Sequence, residues 1–168
     1  MLYTLKVKLD SPILGNLEDG SGVKRFGKTA DGEFIHFSND IFKWAVEESL
    51  SLLRLDNVIS SEYFVEVLPV RRPTLVLYNR KYKDKISEKF KVSSHEAVRA
   101  GATITLDILV LKKLPKTFNN ANLRAPSTNE IKTVITTIGK FFGISPWGSH
   151  TGKFGRFELI EFNEKETI

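Results

Sequence analysis

The sequence predicts an α+β fold in which two amphipathic helices cover one face of an antiparallel sheet. Three observations carry that expectation. Strand-like alternation recurs near both ends of the chain and between the helices. Two segments show an apolar stripe at helical spacing. The resulting order, β–(β)–α–β–β–β–α–β, contains a β-α-β…β-α-β framework with inserted loops or strands. Neither helix can bury its stripe alone, so a shared sheet face is the economical partner. The chain has 168 residues, 41% apolar and 27% charged. That length suits one domain, residues 1–168, with a core of its own.

The elements follow in order. Residues 2–9 alternate, with Leu5, Val7 and Leu9 on one face and Lys6 and Lys8 on the other, until Ser11-Pro12 ends the strand. Residues 13–32 are glycine-rich and of mixed charge, so they read as a loop or irregular hairpin, and 32–37 as a short strand. Ser38, Asn39 and Asp40 offer N-cap oxygens for a helix over residues 40–54, with positions 41, 44, 45, 49, 52 and 53, apolar but for Ser49, on one side. Residues 63–68 and 74–78 are strands joined by Arg71-Arg72-Pro73. Residues 79–92 are highly charged and without a clean period, which suggests an exposed loop or short helix. Ser93-Ser-His-Glu reads as an exposed turn. Residues 103–111 form a strand apolar on both faces, and 112–126 a polar linker. Ser127 and Glu130 match a capping box, followed by the stripe Ile131, Val134, Ile135, Ile138 and Phe142. Gly139 and Gly143 weaken the end of this helix and Pro146 stops it. Residues 154–162 are the last strand.

Composition narrows the chemistry. There is no cysteine, which excludes disulfides, thiolate metal sites and cysteine nucleophiles. Three histidines, and an Asp31/Glu33/His36 group without helical spacing, give no metal site. No cofactor is expected. No apolar run approaches the ~18 residues that span a bilayer, and the first residues lack the apolar core of a signal peptide. A cytoplasmic location follows as the expectation. The net charge of +5 is unevenly placed. Residues 71–99 carry nine cations against three carboxylates, and residues 112–156 eight against one, inside an otherwise acidic chain. Such asymmetry suits a polyanionic partner.

The densest group of functional residues is the loop from Gly143 to Phe157. Gly148, Gly152 and Gly155 allow close backbone approach, and exposed N–H groups in such a turn cradle phosphate. Lys153, Arg156 and His150, with the hydroxyls of Ser149 and Thr151, are candidate phosphate contacts. Trp147, Phe154 and Phe157 would stack on bases if exposed; the alternative is a glycine-rich hairpin whose aromatics enter the core. Lys153 is followed by Phe, not Ser or Thr, so this is no Walker A loop. Arg71, Arg72, Arg80, Lys81 and Lys83, interleaved with Tyr78 and Tyr82, form a second candidate nucleic-acid surface. With Lys112, Lys113 and Lys116 they make a track only if the fold gathers them on one face. The alternative is an exposed charged hairpin.

The chain's end resembles the RAMP proteins of CRISPR effector systems, which carry a Gly-h-Gly-x5-Gly-h-Gly loop before the last strand. Gly148, Gly152 and Gly155, with Phe154 and Phe157, follow that design, and Phe141-Phe142-Gly143-Ile144 fits its lead-in. Leu9-Asp-Ser-Pro-Ile-Leu-Gly15 is similar to the end of the first strand in that family. The spacing departs from the full pattern, since Gly152-Lys-Phe-Gly155 replaces the second Gly-x-Gly. The resemblance implies a ferredoxin-like, RRM-like fold and RNA binding, in a CRISPR-associated, antiviral setting or as a virus-encoded component with protein-complex partners.

Some members of that family cleave RNA without metal, which needs a base for the 2′-hydroxyl and an acid for the leaving oxygen. His36 and His150 are the candidates here, with His95 weighed beside them. Three functions therefore stand open: an RNA- or single-strand-binding protein, a histidine-dependent endoribonuclease, and an interaction or inhibitor protein on the same scaffold.

Overall fold

A computed structural model describes residues 1–115, 123–146 and 153–165. They form β1 (Leu2–Leu9), β2 (Ile13–Leu14), β3 (Val23–Lys24), β4 (Gly27–Lys28), β5 (Phe34–His36), α1 (Asn39–Leu52), β6 (Phe64–Val67), β7 (Val70–Arg71), β8 (Leu75–Lys83), β9 (Phe90–Val98), β10 (Thr103–Val110), α2 (Thr128–Thr137) and β11 (Phe157–Lys165). The main sheet runs β11-β1-β10-β6, all antiparallel, with α1 and α2 packed on one face. This is the expected ferredoxin-like arrangement. Its two insertions lie between β1 and α1 and between β6 and β10.

Alternation explains the core. Tyr3, Leu5 and Val7 stand opposite Ile108, Leu106 and Ile104, and all six are buried against the helices. Thr4, Lys6 and Lys8 point from the other face with Asp107, Thr105 and Thr103. The capping box of α2 forms as its sequence requires: Glu130 N–H donates to Ser127 Oγ and Ser127 N–H to Glu130 Oε1. The Arg124 guanidinium, 2.6 Å from Glu130, is the first cause pulling that carboxyl down to about 2. Ile131, Val134, Ile135 and Ile138 are buried as the stripe predicts.

Three expectations are corrected. The buried face of α1 is Phe42, Ala45, Val46, Ser49 and Leu50, while Leu52 is exposed. Apolar residues cover more of the helix than the polar strip of Asp40, Lys43, Glu47 and Ser51, and the sheet selects the side of that broad apolar face carrying Phe42 and Leu50. The Asn39 side chain reinforces that choice by accepting from Val67 N–H of β6 (2.9 Å). Residues 79–92 are neither loop nor helix: most of them continue a long hairpin, β8 pairing β9 from Leu75↔Val98 to Lys83↔Phe90. Its turn is closed by Asp84, which accepts from Ile86 N–H (2.9 Å) and meets Lys91 at 2.6 Å. That cation holds the Asp84 carboxyl at about 2. The last strand starts at Phe157 rather than 154, because residues 153–156 pack instead against the end of β1 and the chain after α2.

Ser49 is fully buried, and its hydroxyl has no hydrogen-bond partner among the described residues. A buried unpaired hydroxyl costs about 1 kcal/mol or more. Ser49→Ala should therefore raise unfolding stability by about 1 kcal/mol in urea titration; a loss of that size would mean the hydroxyl is bonded.

Candidate nucleic-acid interface

The two described ends of the glycine loop lie backbone to backbone. After α2 the chain widens into one π-helical turn, Ile138–Phe142, and a methyl group on Gly139 would collide with the carbonyl of Phe157 and lie 2.6 Å from its ring. Gly155 sits at φ +73°, where only glycine is relaxed, and a side chain there would strike the backbone of Ser145. Hydrogen bonds hold this approach. Ile144 N–H donates to Gly155 O (3.2 Å), Gly155 N–H to Pro12 O (2.8 Å), Leu14 N–H to the buried Ser145 Oγ (3.0 Å), and Asp10 N–H to Arg156 O (2.8 Å). The Gly155 amide is thus engaged within the protein. Trp147, Gly148, Ser149, His150, Thr151 and Gly152 lie outside the described residues, as does Lys116.

Phe154 and Phe157 are buried, so neither is a base-stacking surface. Phe154 instead packs edge-on against Tyr78 of β8, ring centroids 5.8 Å apart, beside Leu14 and Ala97. Lys153 is exposed, its ammonium 5.8 Å from the Phe154 ring centre. This contact joins the glycine loop to the cationic hairpin.

Strand alternation then divides the hairpin's cations. Arg80 shares a face with Tyr78 and Tyr82, its guanidinium 4.8 Å from the Tyr82 ring centre. Lys81 and Lys83 stand on the opposite face with Val92 and Phe90. Arg71 and Arg72 are exposed elsewhere: β7 pairs with β5, Arg71 lies over Phe34, and Arg72 shares a cleft with Glu96.

On its other side Arg156 is exposed, and its guanidinium donates to the carbonyl of Lys140. The two residues border a cleft of about 340 Å³ with Lys132, Thr136, Asp10 and Glu158. Lys132 and Lys140 escaped the sequence reading. The signal was available, since 132, 136 and 140 follow helical spacing opposite the apolar stripe of α2. The open sheet face offers no comparable site. It carries Lys6 and Lys8 beside Glu161 and Glu158, and no aromatic among the described residues, so an RRM-type stacking platform is lacking there.

The histidines separate. His36 is exposed on β5 and lines a cleft of about 290 Å³ with Asn16, Arg25, Phe37, Ser38 and Pro146. Pro146 is the last described residue before the segment that carries His150. Arg25 in this cleft is engaged by Asp19 (3.1 Å) and Glu96 (3.6 Å). Among the described residues no group of three acidic or histidine side chains could hold a metal.

His95, expected in an exposed turn, is 0% exposed on β9. Its Nδ1–H donates to the Gly15 carbonyl (2.7 Å), which leaves Nε2 to accept from the Ser93 hydroxyl (2.8 Å). Burial pushes its pKa down, with the Arg80 and Lys24 charges adding to that effect, although the Gly15 bond opposes it. Glu96 next to it receives Lys28 (2.6 Å) and Phe26 N–H (3.1 Å). Together these bonds clamp the first insertion to the hairpin.

No protein-family model matches the sequence, and no curated protein matches it. The fold does have solved counterparts. A chain in the cryo-EM structure of the Type III-B Cmr-beta bound to cognate target RNA aligns with 96% of this chain, at a TM-score of 0.52 and 12% identity. The match covers 59% of that chain, so the protein spans less than two thirds of its neighbour's length. At this identity the likeness is one of fold. No helix among the described residues is long and apolar enough to cross a membrane.

Two stability tests follow from this geometry. Gly155→Ala should cost at least about 2 kcal/mol, from the positive φ and the contact with Ser145; a wild-type melting curve would show the segment is not held as described. His95 is neutral when folded, and its folded pKa lies below the ordinary value of 6.5. The unfolded chain therefore takes up the proton first, so the histidine's contribution is complete above about pH 6.5 and is lost as pH falls. Urea unfolding at pH 8 and pH 5 should show that loss, and His95→Asn should reduce it.

Proposed function

We propose that this chain binds single-stranded nucleic acid, with RNA preferred, as a RAMP-like component of a CRISPR-associated or virus-encoded assembly. The observation that carries the reading is the Phe154–Tyr78 contact, because it gathers two cationic stretches that lie far apart in sequence. The path runs from Arg80 and Tyr82 past Lys153 to Arg156, and on to Lys140 and Lys132. Cations along it neutralise phosphates, while the partly exposed tyrosines offer ring faces to bases. Gly148, His150 and Gly152 belong to the same loop and complete the proposed contact set. The glycine-loop resemblance and the fold shared with a chain from an RNA-bound structure support RNA over DNA. A cytoplasmic site of action belongs to this proposal.

A second reading is a metal-independent endoribonuclease. It is favoured by one feature: His36 shares its cleft with Pro146, the root of the loop that carries His150. Cleavage in EDTA that disappears in His36→Ala and His150→Ala would establish it, and a stable complex without products would sink it.

The binding path is tested by fluorescence anisotropy with a labelled single-stranded RNA across a salt series. Affinity should fall with salt, and Lys153→Ala and Arg156→Ala should each flatten the slope of log affinity against log salt by about 0.7. Lys153→Glu/Arg156→Glu should weaken binding roughly tenfold or more at fixed salt. Affinity and slope equal to wild type would refute the path.

A further inference from the structure

The buried stripe of α2 runs through Ile131, Val134, Ile135 and Ile138, and an unbroken α-helix would carry it on to both Phe141 and Phe142. The chain departs from that course. Gly143 N–H donates to the Ile138 carbonyl (2.7 Å), closing the π-helical turn over Ile138–Phe142. The added residue brings Phe142 back over the stripe, half-buried beside Trp44 of α1, and swings Phe141 away from it. Phe141 ends 49% exposed, although phenylalanine is ordinarily a core residue.

Aromatic neighbours support this ring from within. Phe142 meets Phe141 with ring centres 6.4 Å apart, and meets the Trp44 ring edge-on at 5.7 Å. The series of three rings runs from half-buried Trp44 out to the surface. A ring already held by its neighbours loses little freedom when it meets a ligand.

Cations flank the same ring. The Lys140 ammonium lies over it, 5.3 Å from its centre. Arg156 donates to the Lys140 carbonyl, the peptide oxygen immediately before Phe141. Both cations border the cleft that Lys132 also lines, and Phe141 is the next residue along the chain. An exposed ring with cations beside it suits a nucleotide, whose base takes the ring face while its phosphate takes the charge. An apolar protein surface laid on the ring would instead bury Lys140 and Arg156 without a counter-charge. At an exposed site the cation–π contact is weak, so an incoming base displaces the ammonium, which then meets the phosphate.

We propose that Phe141 is a base-stacking residue: a single strand lying along the cationic path places one base on its ring, with the adjoining phosphates on Lys140 and Arg156. This role rests on the binding path proposed above, and it gives the α2 end of that path the ring face that the tyrosines give the hairpin end. Every base has a π-face, so stacking here fixes the strand in place without selecting its sequence.

Anisotropy with the labelled single-stranded RNA tests it, with Phe141→Ala, Phe141→Leu and Phe141→Trp measured across the salt series. Phe141→Ala and Phe141→Leu should each weaken binding about fivefold or more, because neither keeps an aromatic face, and Phe141→Trp should bind at least as tightly as wild type. The slope of log affinity against log salt should stay at the wild-type value in all three, since no phosphate contact is removed. If Phe141→Ala melts early, Phe141→Leu against Phe141→Trp reads the same difference between apolar bulk and an aromatic face. Wild-type affinity in Phe141→Ala, beside the loss expected of Lys153→Glu/Arg156→Glu, overturns the stacking role while the path stands. So does wild-type affinity in Phe141→Leu, which would mean that apolar bulk suffices. A slope flattened as in Arg156→Ala overturns it too, because the ring would then act only by placing the cations. Unchanged affinity in Lys153→Glu/Arg156→Glu refutes the path itself, and the stacking role with it.

Discussion

The close approach of two backbone segments, 139–145 and 153–157, governs the rest of the structure. It is possible because Gly139, Gly143 and Gly155 have no side chains to separate them. Through it the end of α2, the start of β11 and the corner after β1 are held by hydrogen bonds from residues 10–14. Any added carbon would push apart elements that close the main sheet. These three glycines are thus accounted for by packing.

The next layer is built on that approach. Phe154, held beside Gly155, is buried against Tyr78 and so fixes where the hairpin's base meets the loop. His95 and Glu96 clamp the same hairpin to the first insertion from the other strand. An apolar contact thereby aligns two groups of cations, although like charges alone would keep them apart. The energy for gathering charge comes from burying aromatic surface and satisfying backbone groups.

Strand geometry then divides the hairpin's cations between two faces. Side chains alternate, so one cationic run supplies two surfaces. Arg80 falls with the tyrosines near the loop, and Lys81 and Lys83 fall on the far side with Val92 and Phe90. Read as linear sequence, residues 80–83 are a single basic patch. The same distinction applies to α2, where Lys132 and Lys140 share a face that becomes meaningful only beside Arg156.

Local order was legible where a few neighbouring residues decide it. Ser127 and Glu130 cap α2 within one turn, the alternation of residues 2–9 marks β1, and the absence of cysteine removes thiolate chemistry from any arrangement of the chain. Legibility failed where a distant partner decides. The rotation of α1 depends on the sheet beneath it, the hairpin on pairing across its turn, and the burial of His95 on Gly15, eighty residues earlier in the chain. The placement of charge in two segments was set by the sequence alone. Which of those charges share a face was decided by tertiary contacts, because hydrogen bonds and buried rings act between residues that sequence distance does not bring together.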